Sequence, residues 1–422
     1  MSHFRDWSVR VLSGLLLLCA TSVLADVEPS PVRISGYGTL SYSWDNDAQL
    51  TLIRDITQRP QDDYSTGGTW KLDSRIGLQA SYQHSPQVGA LAQLVLRDQT
   101  RQEANDLVEL AYLDLQPSDY LRLRVGRIGY DAFLMSDHRN LGYAYAWVRP
   151  PTEFYGWIPI FSLDGADLTH EWNTDDARWR VRAQAGTSKV WIPMGDTNFR
   201  FKGDSLWSLS VQREGGPWRL KAGLSGFVSG AEVPNLEPLY AGLEQIAAVP
   251  IPSIAREAVV LRNEMRFGDA QLRYATLGLA YDDGNWLMQT EFGRTWTDTA
   301  MTAPGWNGYG VVGRRIHAWT PYVMLSASRP QGNVLAPLND WSVIGQRAFQ
   351  TTAYRISNTS RADQTTLAVG TRWDVHPRAA IKFQWENTRI EPMGYAQWFR
   401  GPGIFERSSQ VNIFTVGMDF LF

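Results

Sequence analysis

Apolar and polar residues alternate at period two in several segments of this chain. Over the last nine residues one face carries only large apolar side chains: Phe414, Val416, Met418, Phe420 and Phe422. The other face is small or polar at Thr415, Gly417 and Asp419, with only Leu421 out of pattern. This pattern predicts a β-strand with one face in an apolar medium and the other in water. It also fits a half-buried edge strand of a soluble β-sandwich, so the rest of the chain has to decide.

The same alternation recurs upstream, for example in residues 32–44 and 71–83. Short segments rich in Gly, Pro, Asn, Asp and Ser separate many of these stretches, and such residues supply the backbone angles of tight turns. We predict turns at 84–87, 117–119, 173–176, 214–217, 282–285, 316–318 and 375–377.

Longer segments lie between the turns, at about 46–68, 99–104, 128–162, 190–203, 230–268, 299–306, 329–362 and 391–408. Seven short turns alternating with eight long loops predict sixteen antiparallel strands, with both termini on the side of the short turns. The predicted fold is therefore all-β, a closed transmembrane antiparallel β-barrel with short periplasmic turns and long extracellular loops. In residues 105–116 Glu109 falls on the outward face with Ala111 and Leu113, so it either lies above the membrane or the assigned parity is wrong.

Composition supports a barrel that crosses a membrane with strands. Mean hydropathy is only -0.28, yet the chain contains 18 Trp, 17 Tyr and 16 Phe. Beyond residue 25 no apolar run approaches the roughly 18 residues of a membrane helix. A transmembrane barrel explains both facts, because only alternate strand residues meet lipid and aromatic girdles mark the two interfaces. The formal charge of -3 gives no indication of nucleic-acid binding.

The first 25 residues have the pattern of a secretory signal peptide. Arg5 and Arg10 precede an apolar stretch at 11–24, and Ala25 offers a small residue for cleavage, so we expect the mature chain to start at Asp26. Cys19 suggests a lipoprotein as an alternative, but Leu18 stands where a small residue would be needed. The mature chain, 26–422, then forms one domain without cysteine, which suits a barrel closed by hydrogen bonds.

Arginine dominates the basic residues, since only five of 40 are lysine. On the predicted inward parity lie Arg75, Arg97, Arg122, Arg124, Arg178, Arg180, Arg182, Arg219, Lys221, Arg372 and Lys382. A sixteen-stranded barrel is wide enough for an aqueous channel, whose selectivity comes from such wall residues. We therefore predict a preference for anions. The alternative is a structural ladder, in which these cations pair with inward acids: Asp167, Glu171, Glu291, Asp374 and Glu386.

The third long segment, 128–162, is too aromatic for a solvated loop, and folding into the lumen would cover it. Asp131, Asp137 and Glu153 would then face the arginine wall across a narrow opening. Packing against a neighbouring subunit is the alternative. The fifth segment, 230–268, has apolar residues at helical spacing, and it either plugs the vestibule, caps the outside or contacts a partner subunit.

The first alternative is a barrel enzyme, such as an outer-membrane lipase or protease, which needs a nucleophile or an activated water with a positioned base. No such constellation and no metal or cofactor motif is apparent, so we expect no enzyme activity and no cofactor. Three of the five histidines after residue 25, namely His84, His317 and His376, fall in or beside predicted turns, and His170 has outward parity. Only His138 lies in a plausible cavity. A receptor or adhesin that binds through segments 230–268 and 329–362 without conducting remains the second alternative.

Several stretches together resemble the sixteen-stranded outer-membrane porins of Gram-negative bacteria, in a branch loosely similar to the phosphate-selective porins. They are residues 74–78, 121–127, 142–151, 319–323, 364–372 and the terminal strand. The resemblance implies a homotrimer, passive diffusion of small hydrophilic solutes, and a constriction formed by loop 128–162 with Arg122, Arg124 and Arg127. It also implies contact with outer-membrane lipid and lipopolysaccharide, and recognition of the strand ending in Phe422 by the barrel-assembly machinery. No lysine ladder is visible, which argues against phosphate specificity.

Overall fold

The computed structural model describes residues 31–59, 68–101, 103–194, 197–230, 232–302, 304–400 and 406–422. The signal peptide expected at 1–25 lies outside this range. The described residues form a closed barrel of sixteen antiparallel strands. The strands are β1 (Val32–Asp45), β2 (Arg75–Ser85), β3 (Val88–Arg97), β4 (Val108–Ser118), β5 (Leu121–Gly129), β6 (Ser162–Asn173), β7 (Arg178–Met194), β8 (Thr197–Gly215), β9 (Trp218–Ser229), β10 (Gln271–Asp282), β11 (Trp286–Thr297), β12 (Gly305–Arg314), β13 (Trp319–Pro330), β14 (Ala362–His376), β15 (Ala379–Tyr395) and β16 (Ser409–Leu421).

The barrel closes by pairing of the first strand with the last. β1 and β16 are antiparallel neighbours from Tyr37 opposite Leu421 to Asp45 opposite Ile413. All seven predicted tight turns are confirmed, since each joins two consecutive strands at one end of the barrel, here called the turn end. The long connections lie at the other end, here called the loop end. The predicted number and order of strands are therefore correct.

The outward surface of the barrel is apolar and bears aromatic residues near both ends. On β16, Phe414, Val416 and Met418 are exposed, as their parity predicts. Paired rings mark the turn end, as in Trp319–Trp373, and the loop end, as in Trp44–Phe414. Phe414 and Phe422 are eight residues apart, or about 27 Å along the strand. On a strand tilted by about 40° this length corresponds to a height of roughly 20 Å, close to the apolar band of about 25 Å that aromatic girdles flank in a transmembrane barrel.

Glu109 lies on the inner side of the wall because β4 contains a β-bulge. The register between β3 and β4 shifts where Gln93 is opposite Leu110 and Leu94 is opposite Val108, which leaves Glu109 as the extra residue. A bulge re-aims the side chains that follow it. Glu109 forms an ion pair with Arg97 at 3.4 Å and accepts a hydrogen bond from the Asn140 amide at 3.0 Å. Of the two alternatives, the one in which the assigned parity is wrong is therefore correct, and the carboxylate does not face lipid.

The prediction of a fourth loop at residues 190–203 is also wrong. β7 continues to Met194 and β8 begins at Thr197, so the two strands form a hairpin that stays paired through most of this segment. Residues 195–196 lie outside the described range. The inward residues Phe199 and Phe201 on this hairpin are buried, which explains why the segment remains ordered as strand.

Helices from two loops form a cap at the loop end. They are α1 (Glu237–Ala247) and α2 (Pro252–Met265) between β9 and β10, and α3 (Arg347–Ser357) between β13 and β14. Shorter helical turns occur at Ala104–Leu107, Gly142–Ala144, Thr152–Tyr155, Pro234–Leu236 and Trp341–Ile344, and Leu50–Leu52 pairs with Trp398–Arg400 as a two-stranded ribbon. In the part of the chain described, no helix is both long and apolar enough to cross a bilayer.

The carboxylate of Glu257 on α2 joins the two halves of this cap. It accepts hydrogen bonds from the backbone of Leu338 at 2.8 Å, from the Asn339 amide at 2.7 Å and from the Trp341 indole at 3.2 Å. The Tyr354 hydroxyl on α3 donates a further one. Glu257 is only 6% exposed. One buried carboxylate thus satisfies donors from the whole segment between β13 and β14.

Changing Glu257 to glutamine should loosen the cap. Burial alone would raise the pKa of Glu257, but the hydrogen bonds from Tyr354 and Asn339 outweigh it and lower the pKa below the ordinary value of 4.5. A lowered native pKa stabilises the cap at neutral pH, and this stabilisation disappears as the pH falls through 4.5 and below. We expect hydrogen exchange in residues 331–361 to accelerate about tenfold in Glu257→Gln at pH 7, equivalent to about 1.4 kcal/mol.

The matched control is Glu264→Gln, an exposed carboxylate on the same helix. It should leave exchange in residues 331–361 unchanged. In the unaltered protein the same segment should gain exchange near pH 4, after correction for the intrinsic rate. Equal protection in Glu257→Gln and in the control would contradict the role assigned to this carboxylate.

Candidate functional site

The segment between β5 and β6, residues 130–161 and here called loop 3, folds into the barrel lumen as predicted. Phe133, Phe154 and Tyr155 are buried and pack edge-on or tilted against one another, with ring centroids 4.9 to 5.4 Å apart. They contact Tyr274 and Tyr309 of the opposite wall, with centroids 5.5 to 5.7 Å apart. An aromatic loop that would be costly in water is thus covered by the inside of the barrel.

Arg149 anchors loop 3 to the seam where the barrel closes. Its side chain is completely buried and forms two hydrogen bonds to Asp73, at 2.9 and 2.7 Å. It also pairs with Glu386 on β15 and donates to Thr415 on β16 at 2.6 Å. A guanidinium with five fixed donors suits such a multiple contact better than any other side chain. Two carboxylates thus surround one buried guanidinium at this seam.

Asp131 anchors the beginning of loop 3 to the arginine wall. It pairs with Lys221 on β9, accepts a hydrogen bond from Ser210 on β8, and lies 3.5 Å from the Arg182 guanidinium. Asp137 lies 3.3 Å from the same guanidinium. The two acidic residues therefore do oppose the wall, as predicted, but in direct contact and not across an opening.

Glu153 does not face the arginine wall, contrary to the prediction. It accepts hydrogen bonds from Ser326 on β13 at 2.7 Å and from Gln364 on β14 at 2.7 Å, with another from Thr366. The short helical turn Thr152–Tyr155 directs it to this side. Close by, Glu291 on β11 accepts the Leu134 backbone N–H at 2.7 Å. Loop 3 is therefore tied to the barrel on opposite sides.

Basic side chains of the wall hold loop 3 through its carbonyl groups. Arg75 donates to Asn140 O at 2.6 Å and to the Tyr145 hydroxyl at 2.9 Å. Lys382 donates to Gly142 O at 2.6 Å. Gly142 comes so close to β16 that an added Cβ would overlap Asp419 Oδ1, and the Asp419 side chain would have to move. Arg75 is thus inward, as predicted, and its donors serve the loop.

Four further inward arginines form a ladder of ion pairs with acidic residues of neighbouring strands. Arg122 pairs with Asp114, Arg124 with Asp167, and Arg178 and Arg180 both with Glu171. Their inward parity is as predicted. The structural-ladder alternative describes their contacts, because each guanidinium has a carboxylate partner on the next strand.

Arg127 does not join this inward row. It is opposite Ala111 and Asp164 in the sheet, and Ala111 is exposed on the outward face. Arg127 forms an ion pair with Asp164 at 2.8 Å. The preceding residue, Gly126, has a φ of 132°, a backbone conformation that glycine adopts readily. The lumen position taken from the resemblance is therefore wrong, because the alternation that turns Arg122 and Arg124 inward turns Arg127 outward.

Cavities lie on both sides of loop 3. The turn-end cavity, of about 500 Å³, is polar and is lined by His138 and Trp147 of the loop and by wall charges. These wall charges are Glu214, Arg219, Asp282, Arg315, Arg372 and Asp374. The loop-end cavity, of about 410 Å³, is lined by Trp157 and Ile158 of the loop and by apolar side chains near the mouth. Loop 3 thus separates a charged compartment from an apolar one.

His138 lines the turn-end cavity, and the other four histidines of the described chain lie at turns or on the outward side. His170, for instance, stacks on Trp172 with ring centroids 5.4 Å apart. Within the described ranges no three His, Cys, Asp or Glu side chains are grouped in a way that would hold a metal ion.

Sequence reasoning missed Arg149 as a site residue. It lies in an aromatic stretch before Pro150 and Pro151, and its acidic partners come from β15 and from the segment before β2. The available signal was an arginine in a segment that had to be buried, since a buried charge needs a partner.

Solved structures of Gram-negative outer-membrane porins and channels have the same fold. A loop L8 deletion mutant of OmpT, an outer membrane protein of Vibrio cholerae, has 13% identity and a TM-score of 0.51, over 93% of this chain and 100% of that chain. The outer membrane channel DcaP of Acinetobacter baumannii has 10% identity and a TM-score of 0.51, over 94% and 100%. Salmonella typhi OmpF in complex with daunomycin has 11% identity and a TM-score of 0.50, over 93% and 97%. No protein-family model and no curated protein matches the sequence.

Proposed function

We propose that this protein is a passive outer-membrane channel for small hydrophilic solutes, with a preference for anions. The observation that carries the proposal is the arrangement of the lumen. An apolar outer surface encloses a charged inner wall, and loop 3 crosses the lumen between two cavities. An inward loop of this kind sets the size and charge of what passes. The turn end would face the periplasm and the loop end the outside.

Reconstitution into planar lipid bilayers tests the channel directly. We expect stepwise conductance, in groups of three equal steps if the channel is a trimer. Absence of conductance from correctly folded protein would leave the second candidate, a non-conducting receptor, which the interlocked cap over the loop end favours. A narrower version of the channel, selective for one organic acid or anion, would show as current block by that solute.

The arginine side chains of the ladder are more exposed than their carboxylate partners, which supports anion preference. Arg122 is 46% exposed and its partner Asp114 22%, while Arg178 is 51% exposed and its partner Glu171 24%. Both arginines lie at the turn-end start of their strands, and their carboxylate partners lie farther from the turn end. Water in the lumen therefore contacts the guanidinium groups more than their carboxylate partners, although the charges are paired. Partly exposed charges of one sign raise the local concentration of counter-ions.

Replacing Arg122 and Arg178 together by serine should shift selectivity toward cations. We expect a roughly twofold fall in the chloride to potassium permeability ratio, equivalent to about 0.4 kcal/mol, within the range of exposed charge effects. The measurement is the reversal potential in a KCl gradient. Arg213→Ser is the matched control, because Arg213 is also paired near the turn end, with Asp176, but has outward parity. A ratio that stays constant in the double variant would show that the ladder is only structural.

A homotrimer is part of the proposal, and the outward face of β2 to β6 supports a subunit contact there. Ala80, Ala92 and Ala111 are opposite one another on adjacent strands, and the Arg127–Asp164 ion pair continues the same row. Small side chains allow close approach of two surfaces, and an outward ion pair is costly against lipid. The remaining outward surface would meet outer-membrane lipid and lipopolysaccharide, and the barrel-assembly machinery would recognise β16 with Phe422.

A further inference from the structure

The loop-end cavity is apolar where the inner wall of a water-filled barrel would be polar. Phe199 and Phe201 occupy successive inward positions of β8, and Phe227 is inward on β9. Phe267 and Leu272 complete this side. All five side chains are buried. Five apolar inward residues in one patch are not explained by a channel that only passes hydrated ions.

The rings in this patch are arranged edge to face. Phe201 and Phe227 have centroids 5.1 Å apart at 79°, and Phe199 and Phe267 have centroids 6.0 Å apart at 75°. Trp157 of loop 3 forms the floor, edge-on to Tyr274 at 5.0 Å. Aromatic pairs prefer this geometry, and the free faces and edges that remain suit a further aromatic ring.

The size of the cavity fits a small organic molecule. Its volume of about 410 Å³ lies in the range of roughly 300 to 1,000 Å³ that is usual for ligand pockets. A cavity of about 150 Å³ already admits benzene. Met194 and Met301 also line the cavity, and methionine adapts its shape to different ligands. One or two fused rings would therefore fit.

The lining carries little charge, and two of its buried polar atoms, Gln397 Oε1 and Trp157 Nε1, have no hydrogen-bond partner among the described residues. Arg329 is the one charged lining residue in the part of the chain described, and it is paired with Asp363 at 3.2 Å. Gln397, which is 1% exposed, also lines the cavity. Its Nε2 donates to Thr152 O, whereas its buried Oε1 has no hydrogen-bond partner among the described residues. A ligand hydroxyl would satisfy this acceptor.

We propose that the loop-end cavity is a binding site for an uncharged aromatic molecule of one or two rings that carries a hydroxyl or N–H donor. The phenylalanine patch and Trp157 take the ring, and Gln397 Oε1 accepts the hydrogen bond. This site goes beyond the passage of small hydrophilic ions, because it would hold an aromatic solute on the outer side of loop 3 and block ion flow while occupied.

Methionine methyl NMR on the full-length protein in lipid nanodiscs tests the site without changing it. With 2-naphthol as the probe, the methyl signals of Met194 and Met301 should shift in a saturable way. Met288 and Met418, whose side chains are exposed on the outward surface, report on probe dissolved in lipid. Shifts confined to Met288 and Met418, or no shifts at all, would overturn the proposal. 2-Methoxynaphthalene, which lacks the donor, should bind at least threefold more weakly.

Two double variants separate the apolar patch from general folding effects. Phe201→Ser with Phe267→Ser should weaken 2-naphthol binding at least tenfold, and Phe201→Leu with Phe267→Leu should stay within threefold of the unaltered protein. Equal affinity in the serine and leucine variants would count against the site. Conductance is recorded on the same samples. Saturable binding without conductance would refute the channel and keep this site, and conductance without binding would do the reverse.

Discussion

Replacing Arg149 by glutamine should destabilise the barrel by about 3 to 5 kcal/mol, because it leaves buried carboxylates without their counter-charge. Asp73 and Glu386 are both buried beside this guanidinium, and neither has another ion-pair partner among the described residues. Glutamine retains hydrogen-bonding capacity but supplies no charge. Loop 3 would also lose the contacts of Arg149 to β15 and β16. We therefore expect larger and noisier single-channel conductance together with the loss of stability.

The measurements are denaturant unfolding in lipid vesicles and single-channel recording. Arg213→Gln serves as the control, since Arg213 has outward parity and is paired with the exposed Asp176 at the turn end. It should change stability by about 1 kcal/mol or less. Adding Asp73→Asn and Glu386→Gln to Arg149→Gln should recover part of the lost stability, because no unpaired charge remains. If Arg149→Gln unfolds like the unaltered protein and conducts identically, this charge cluster does not hold the loop.

The barrel was predictable because its determinants are local. Strand alternation and turn residues are both read within a few positions, so the sixteen strands and all seven turns followed from pattern alone. Glu109 was misplaced because one extra residue in β4 reverses the parity, and the sequence around it contains no Gly or Pro to mark the bulge. Segment 190–203 was read as a loop because Gly195, Asp196 and Gly203 resemble turn residues, although the strands around them stay paired.

The contacts of loop 3 were harder to predict from the sequence because the residues that form them are distant in sequence. Inward parity identified Arg122, Arg124 and Arg182 correctly. It does not show which acidic residues of other strands form ion pairs with them. Glu153 was assigned to the arginine wall on charge alone, whereas its partners are Ser326, Gln364 and Thr366 on the far side. Helix α3 was missed because segment 329–362 begins with a long irregular stretch that hides its short amphipathic part.

Introducing arginine at Met418 should destabilise the barrel by roughly 2 to 4 kcal/mol, the range for a charge on the lipid face at the midplane. Met418 is exposed on the outward side of β16, half-way between Phe414 and Phe422 at the two ends of the apolar band. In a barrel surrounded by water the same exposed substitution would change stability by only about 0.5 kcal/mol. The cost therefore measures whether lipid surrounds this surface, independently of any transport activity.

Unfolding in lipid vesicles again provides the measurement, with two controls that differ in one respect each. Met418→Leu keeps the site apolar and should be nearly neutral. Val375→Arg places the same charge on the turn-end tip of β14, where Val375 is exposed, and should cost only about 0 to 1 kcal/mol because the side chain reaches water. A depth-dependent penalty is peculiar to a membrane-spanning wall. Equal costs at Met418 and Val375 would place the barrel outside a bilayer and remove the basis for a channel.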